Sequence, residues 1–244
     1  MGGIGPERSI SLQSGNCIAQ ALKQTGANVI TYDIRPDKLD ILDDISIDVF
    51  FIALHGQFGE DGTLQQILED RSLIYTGSPP QASRLAFDKL ASKKIFNQAG
   101  IITPSAIKFN PHTDTKRLEK HLIQLADKYV IKPLRQGSTI GITIVDHPQE
   151  AIQAAQKCWR KFGDCMIEEF IPGAEITVGI LNNQALPIIE IRSKSGFYDY
   201  QAKYLDENTE FLFDTIDDPK LSSKIQTMAL DCFNVLGCRH FGRV

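Results

Sequence analysis

The sequence predicts an α/β region followed by an α+β region. Three observations carry that expectation. Helical and strand-like segments alternate through residues 1–80, which is the rhythm of a small parallel sheet. The run Thr76-Gly77-Ser78-Pro79-Pro80 then breaks the rhythm and reads as a linker. Further on, two apolar runs flank Asn182-Asn183, the composition of a tight antiparallel hairpin.

The elements follow in order. Ile18, Ala21 and Leu22 share one helical face, and Gly26 is a stop signal. Residues 29–32 read as a short strand. Residues 48–54 are continuously apolar after Asp48, as in a strand buried on both faces. Leu64, Ile67 and Leu68 mark a helix. After the linker, one helix carries Leu85, Leu90 and Ile95 and ends by Gly100 and Thr103-Pro104. Leu118, Leu122 and Leu125 mark another. Strands are expected at 129–131 and 139–145. Ala151, Ile152, Ala155 and Cys158 form a helical face. Three more strands are expected at 166–171, 176–181 and 186–191. A last helix carries Leu221, Ile225, Met228, Cys232 and Leu236, with Gly237 as its cap. The expected division is 1–80, 81–175 and 176–244.

Composition narrows the class. The chain has 244 residues, 42% hydrophobic and 23% charged, with a net charge of −4. That is enough chain for a sizeable core. No basic excess offers phosphate neutralisation, so a nucleic-acid partner is not expected. No apolar run approaches the roughly 20 residues of a membrane span, and none resembles a secretory signal. The 5 cysteines are irregularly spaced, which suits a reduced, cytoplasmic setting.

Four segments have the chemistry of a site. Lys132-Pro133-Leu134-Arg135-Gln136-Gly137-Ser138-Thr139-Ile140-Gly141 follows a strand. It offers a lysine point charge and a loop open to phosphate oxygens, though a plain hairpin fits the spacing too. It is not G-x-x-x-x-G-K-[ST], so it is no P-loop. His55-Gly56-Gln57-Phe58-Gly59-Glu60-Asp61-Gly62 lies at the C-terminal end of an expected buried strand, where α/β sheets bind ligands. His55 is either a donor to an anion or a helix cap. Glu168 and Glu169 are adjacent on a strand and so point to opposite faces. One of them faces inward and needs a partner or a ligand hydroxyl, unless the strand is a solvated edge. The run 196–204 holds Tyr198, Tyr200 and Tyr204, either lining a site or merely packing on the domain.

Together these segments resemble the D-alanine–D-alanine ligases of the ATP-grasp superfamily. The matching pieces are E-R-S-I-S-L-Q-S-G (7–15), H-G-Q-F-G-E-D-G (55–62), T-G-S (76–78), F-D-K (87–89), I-K-P (131–133) and G-S-T-I-G (137–141). They continue with E-E-F-I-P-G-A-E (168–175), Y-D-Y-Q-A-K-Y (198–204) and G-C-R-H-F-G-R-V (237–244). They run in order along the whole chain. The resemblance implies an ATP-grasp fold behind a small parallel-sheet N-terminal domain. It implies a reaction in which ATP phosphorylates one D-alanine and the amine of a second attacks the acylphosphate, for peptidoglycan synthesis.

The resemblance also implies roles. Lys89 and Lys132 are lysines of the ATP phosphates and the adenine side. Gly137 and Ser138 belong to the lid over the phosphates. Glu168 and Glu175 contact adenine and ribose, and Glu169 belongs to the nucleotide-binding set. Glu7 anchors the ammonium of the first D-alanine, with His55 near its carboxylate. Tyr204 and Ser138 close the site with Glu7. Lys203 meets the transferred phosphoryl group, and Arg243 stabilises the tetrahedral intermediate. A homodimer in the cytoplasm, without nucleic-acid or membrane partners, is the implied setting. Family members have a strand before the Gly-Gly segment, and Mg²⁺ or Mn²⁺ ligands just past the arginine. This sequence carries neither, so it reads as a fragment at both ends, inactive or nearly so alone. Two alternatives stay open: a non-catalytic ATP-binding module, and a carboxylate–amine ligase for another substrate.

Overall fold

The computed structural model describes residues 1–193 and 209–244. The first part holds helix α1 (Arg8–Gln24), a 3-10 turn (Asp40–Asp43) and helix α2 (Thr63–Asp70). The α/β alternation is present, but the expected parallel sheet is not built as a ladder. Its extended segments meet only at single parallel bridges, Gly2 with Ile34 and Phe50 with Tyr75. The two bridged pairs are not joined. Between residues 27–34 and 46–54 lies a cavity of about 510 Å³, and a ladder needs strands about 4.8 Å apart. Side-chain packing holds this part together instead, through Ile34, Leu54, Phe58, Leu64, Leu68 and Tyr75. Arg8 adds a two-pronged ion pair to Asp33 at 2.7 and 2.5 Å, tying α1 to the second extended segment.

The middle part contains α3 (Pro80–Phe87), α4 (Lys89–Gln98), β1 (Ala106–Lys108), α5 (Thr115–Leu125), β2 (Tyr129–Pro133), β3 (Thr143–Val145), α6 (Pro148–Phe162) and β4 (Cys165–Glu169). The sheet order is β1-β4-β2-β3, antiparallel throughout. Leu118 and Leu122 of α5 and Ile152 and Ala155 of α6 pack on Tyr129, Ile131 and Ile167 to form its core. Two expectations are corrected here. The helix expected to carry Leu85, Leu90 and Ile95 is two helices. Asp88 is extended (φ −95°, ψ 107°) and its carboxylate accepts the Leu90 and Ala91 N–H groups, so it starts α4 afresh. The strand expected from residue 139 begins only at Thr143. Ser138 and Thr139 take φ of 50° and 60°, which turns the chain before β3 can pair.

The last part contains β5 (Glu175–Leu181), β6 (Gln184–Arg192), β7 (Glu210–Leu212), α7 (Pro219–Val235) and β8 (Phe241–Arg243), with sheet order β7-β6-β5-β8. Asn182 and Asn183 take φ of 48° and 61°, the geometry of the expected hairpin turn. Ala229 and Phe233 of α7 pack on Val178 and Ile180. Gly237, at φ 74°, ends α7 and donates its N–H to Asn234 O at 2.9 Å.

The run 76–80 is tethered to this last part. The Arg239 Nε donates to Gly77 O at 2.8 Å, and its guanidinium lies 4.7 Å from the Tyr75 ring centroid. The Gly77 N–H donates to His240 Nδ1 at 3.1 Å, and the Phe51 and Phe241 rings stack at 6.1 Å. Among the described residues, no helix is long and apolar enough to cross a membrane.

Candidate active site

Glu7 sits immediately before α1 and is only 4% exposed. A carboxylate removed from water needs donors or a ligand. Ser138, from the loop between β2 and β3, donates its hydroxyl to Glu7 Oε1. The contact joins the first and middle parts across 131 residues of sequence. Two glycines make room for it. A Cβ on Gly56 would lie 2.3 Å from Glu7 Oε2, and one on Gly137 would lie 3.2 Å from Glu7 Oε1. Gly56, at φ 71°, requires glycine at its point of approach, while a Cβ at Gly137 would make only a tight contact.

His55 stands beside this contact. Its Nε2 is 3.2 Å from Ser14 Oγ on α1, and its Nδ1 is 3.8 Å from Glu60 Oε1. Hydrogen bonding to Glu60 raises the imidazole pKa, with Glu60 and Glu7 charge adding to it against desolvation. The other Glu60 oxygen accepts the Gly56 N–H at 2.9 Å. Asp61 accepts the N–H groups of Phe58 and Thr63. These two acids fold the 55–62 loop. Buried Gln65 closes it by donating to Gly59 O at 2.6 Å.

The second cluster lies at the junction of α4, β2 and β4. Glu168 on β4 is 5% exposed. Its Oε2 accepts from Lys132 Nζ on β2, and its Oε1 lies 2.5 Å from Lys93 Nζ on α4. Glu169 points the other way and accepts the Ser105 N–H at 2.6 Å. That is the alternation a strand dictates. Lys89 opens α4 and donates to Gln136 O at 2.7 Å, at the root of the glycine loop. Burial, then the nearby Lys132 charge, pushes its pKa down to about 8. The pair Lys89 and Lys132 is a site that favours an incoming anion, because an anion offsets both repulsion and desolvation.

The remaining residues singled out from sequence are placed as follows. Glu175 is exposed at the start of β5. Arg243 lies on β8, with Nη1 3.5 Å from Thr177 Oγ1. Lys203 and Tyr204 lie outside the described residues. Lys93, Ser14 and Glu60 were missed by sequence reasoning. A signal for Lys93 existed: it is four residues after Lys89 on one helix, and such residues share a face. The resemblance implies a divalent cation. Among the described residues, no group of three or more His, Cys, Asp or Glu side chains could hold a metal. The residues present do not fit that ion, and no step below runs through it.

Lys132 on β2 beside Lys89 at the start of α4, the glycine-rich loop that follows β2 and two antiparallel sheets suit an ATP-grasp arrangement. Comparison with known proteins narrows the class. The family model described as D-ala D-ala ligase C-terminus matches residues 95–244, and that described as D-ala D-ala ligase N-terminus matches residues 38–78. The D-alanine–D-alanine ligase of Syntrophotalea carbinolica is 42% identical over 245 residues, covering 100% of this chain and 78% of that protein. That of Aquifex aeolicus is 38% identical, covering 100% and 82%. Among solved structures, D-alanine–D-alanine ligase from Bacillus anthracis complexed with ATP aligns at TM-score 0.82 and 30% identity, covering 100% of this chain and 78% of that one. The VanG D-Ala:D-Ser ligase from Enterococcus faecalis aligns at TM-score 0.82 and 26% identity, covering 100% and 83%. The chain belongs to the D-alanine–D-alanine ligase family.

Proposed function

We propose that the chain serves ATP-dependent joining of two D-alanine molecules into D-alanyl-D-alanine, a cytoplasmic step of peptidoglycan synthesis. The observation that carries this reading is the buried Glu7–Ser138 contact, set beside His55 and next to the Lys89–Lys132 pair. ATP supplies the phosphoryl group that turns one carboxylate into an acylphosphate, and phosphate leaves when the second amine attacks the acyl carbon. Glu7 is a counter-charge for the first substrate's ammonium, held in place by Ser138. His55, kept protonated to higher pH by Glu60, faces the substrate carboxylate. Lys89 and Lys132 neutralise phosphate charge, while Gly137 and Ser138 let the loop approach the phosphates closely. Glu168 fixes Lys132 and offers an acceptor to the adenine amine, with Glu175 proposed for the ribose, while Glu169 sits on the opposite face of β4 against the Ser105 N–H. Arg243 is proposed to stabilise the oxyanion of the tetrahedral intermediate. Lys203 and Tyr204 are proposed as contacts to the phosphoryl group and to Glu7. A homodimer is the proposed assembly.

A single-turnover experiment tests this. Concentrated chain is mixed with ATP, Mg²⁺ and D-alanine, and dipeptide and phosphate are quantified by mass spectrometry. The expected result is little or no dipeptide from the 244-residue chain, and dipeptide and phosphate in equal amounts from a version extended to the length of the relatives it matches, both lost in Glu7→Gln. Phosphate release without dipeptide overturns the reading. A second reading, a different amine acceptor, is favoured by the similarity to VanG D-Ala:D-Ser ligase. D-Serine offered in competition with D-alanine separates the two.

A further inference from the structure

The two oxygens of the buried Glu168 carboxylate are held differently. Oε1 lies 2.5 Å from Lys93 Nζ, and Oε2 accepts from Lys132 Nζ. Lys93 is fixed twice over, because the same ammonium donates to Pro104 O at 2.5 Å. The backbone beside that carbonyl is itself pinned. The Ser105 N–H donates to Glu169 Oε1 at 2.6 Å, and the Glu169 N–H donates to Ser105 O at 2.9 Å. The adjacent glutamates of β4 therefore serve one network: Glu169 holds residue 105, and residue 104 holds the lysine that holds Glu168. The Lys132 ammonium is tied less firmly. Among the described residues, Glu168 is its single partner.

The order of these groups separates their tasks. Lys89 opens α4 at the root of the glycine loop, where it donates to Gln136 O at 2.7 Å. Lys93 follows one turn later, about 6 Å along the helix axis. Lys93 and Glu168 thus form the end of the cluster away from the loop. Lys132 touches both ends: its charge bears on Lys89, and its Nζ reaches Glu168. A phosphate arriving under the loop competes with Glu168 for Lys132. If Lys132 were the sole cation on Glu168, its departure would strand a buried carboxylate, which is costly. Lys93 removes that cost, because it keeps Oε1 while its hold on Pro104 O is undisturbed. Oε2 is then aimed and free to accept. A carboxylate oxygen that only accepts selects a donor. The exocyclic amine of a 6-aminopurine is a donor, whereas a 6-oxopurine presents an acceptor at that position.

We propose that Lys93 is the positioning residue for base selection: it holds Glu168 so that Lys132 can turn to phosphate while Glu168 Oε2 takes the 6-amino group of a purine nucleotide in preference to a 6-oxo group. The inference rests on the nucleotide reading of this cluster given above. ATP and inosine triphosphate, which carries a 6-oxo group in place of the amine, are titrated by calorimetry in the presence of Mg²⁺. The protein is the version extended to the length of the relatives it matches. The unaltered protein is expected to favour ATP by about tenfold or more, the worth of one hydrogen bond to a charged group. Lys93→Met should cut that preference to about threefold or less, because Lys132 then stays on Glu168 and occupies Oε2. A lysine that only supported the fold would weaken both nucleotides alike and leave their ratio unchanged. Lys93→Arg keeps a cation on Glu168 and should retain the preference. Should Lys93→Met fail to fold, Glu168→Gln decides, since its amide can donate as well as accept and the preference should vanish. An unchanged ratio in Lys93→Met or in Glu168→Gln, with ATP still bound by the unaltered protein, overturns this inference alone. Equal binding of the two nucleotides by the unaltered protein overturns it too. Failure of the unaltered protein to bind either nucleotide overturns the nucleotide reading, and this inference with it.

Discussion

Glu168→Gln is the most informative single change in the nucleotide-side cluster. The side chain keeps its shape and loses only its charge. Glu168 has two ammonium partners, Lys93 at 2.5 Å and Lys132. The side chains of Glu168, Lys93 and Lys132 are 6%, 13% and 19% exposed. Removing one member of a buried ion pair costs about 3–5 kcal/mol, because the partner charge is left uncompensated. Two corrections apply. The lysines retain some solvent contact, and the new amide oxygen still accepts one hydrogen bond, recovering about 1 kcal/mol. The expected loss is about 2–3 kcal/mol, read from urea unfolding with an unchanged slope. A double-mutant cycle with Lys93→Met isolates the pair, and a coupling of about 1.5 kcal/mol or more is expected. ATP affinity should fall in the same variant, since Lys132 loses its anchor. A loss under about 0.5 kcal/mol, together with zero coupling, refutes the reasoning, because such values belong to solvated surface pairs.

Other consequences follow from the same geometry. Lys89 is neutral above its pKa of about 8, so ATP affinity should fall as pH rises through that value, approaching tenfold per pH unit, with proton uptake on binding. Calorimetry in buffers of different ionisation enthalpy measures the uptake, and Lys89→Met should abolish it. The His55 imidazole should titrate above its ordinary value by NMR, and Glu60→Gln should bring it down. The sign for stability follows: a raised folded-state pKa gives a contribution complete below about 6.5 and lost as pH climbs through the folded value. Ser138→Ala should cost about 1–2 kcal/mol, because buried Glu7 loses a donor. Leu122→Ala, at a side chain with 0% exposure, should cost about 2–5 kcal/mol by chemical denaturation while leaving ATP affinity unchanged.

How far the sequence was readable depends on the range of the forces at each point. The Asn182-Asn183 turn, the apolar faces of α5 and α6 and the opposed directions of Glu168 and Glu169 were legible, because local periodicity and turn chemistry decide them; on α7 the expected Leu221 is 46% exposed and Ala229 and Phe233 do the packing instead. The break at Asp88 was not. It depends on a carboxylate choosing to cap α4, and the apolar spacing of Leu85, Leu90 and Ile95 continues across it. β1, β7 and β8 have three residues each, too few to show a period, and exist because β4, β6 and β5 offer them an edge. In the first part the apolar pattern of residues 48–54 was read as a strand within a sheet. The segment is extended, but it pairs on one side only, at Phe50. Lys93 escaped notice because its role is set by a contact with Glu168, far away in sequence.

The central claim is that the lysine–glutamate cluster and the Glu7–Ser138 contact form adjoining sites for ATP and D-alanine. Sequential calorimetry tests it most directly. ATP is titrated first, then D-alanine or L-alanine into the chain saturated with a non-hydrolysable ATP analogue. The account predicts saturable ATP binding weakened by Glu168→Gln, and binding of D-alanine over L-alanine that is lost in Glu7→Gln. Absence of ATP binding, or equal binding of the two enantiomers, would contradict it.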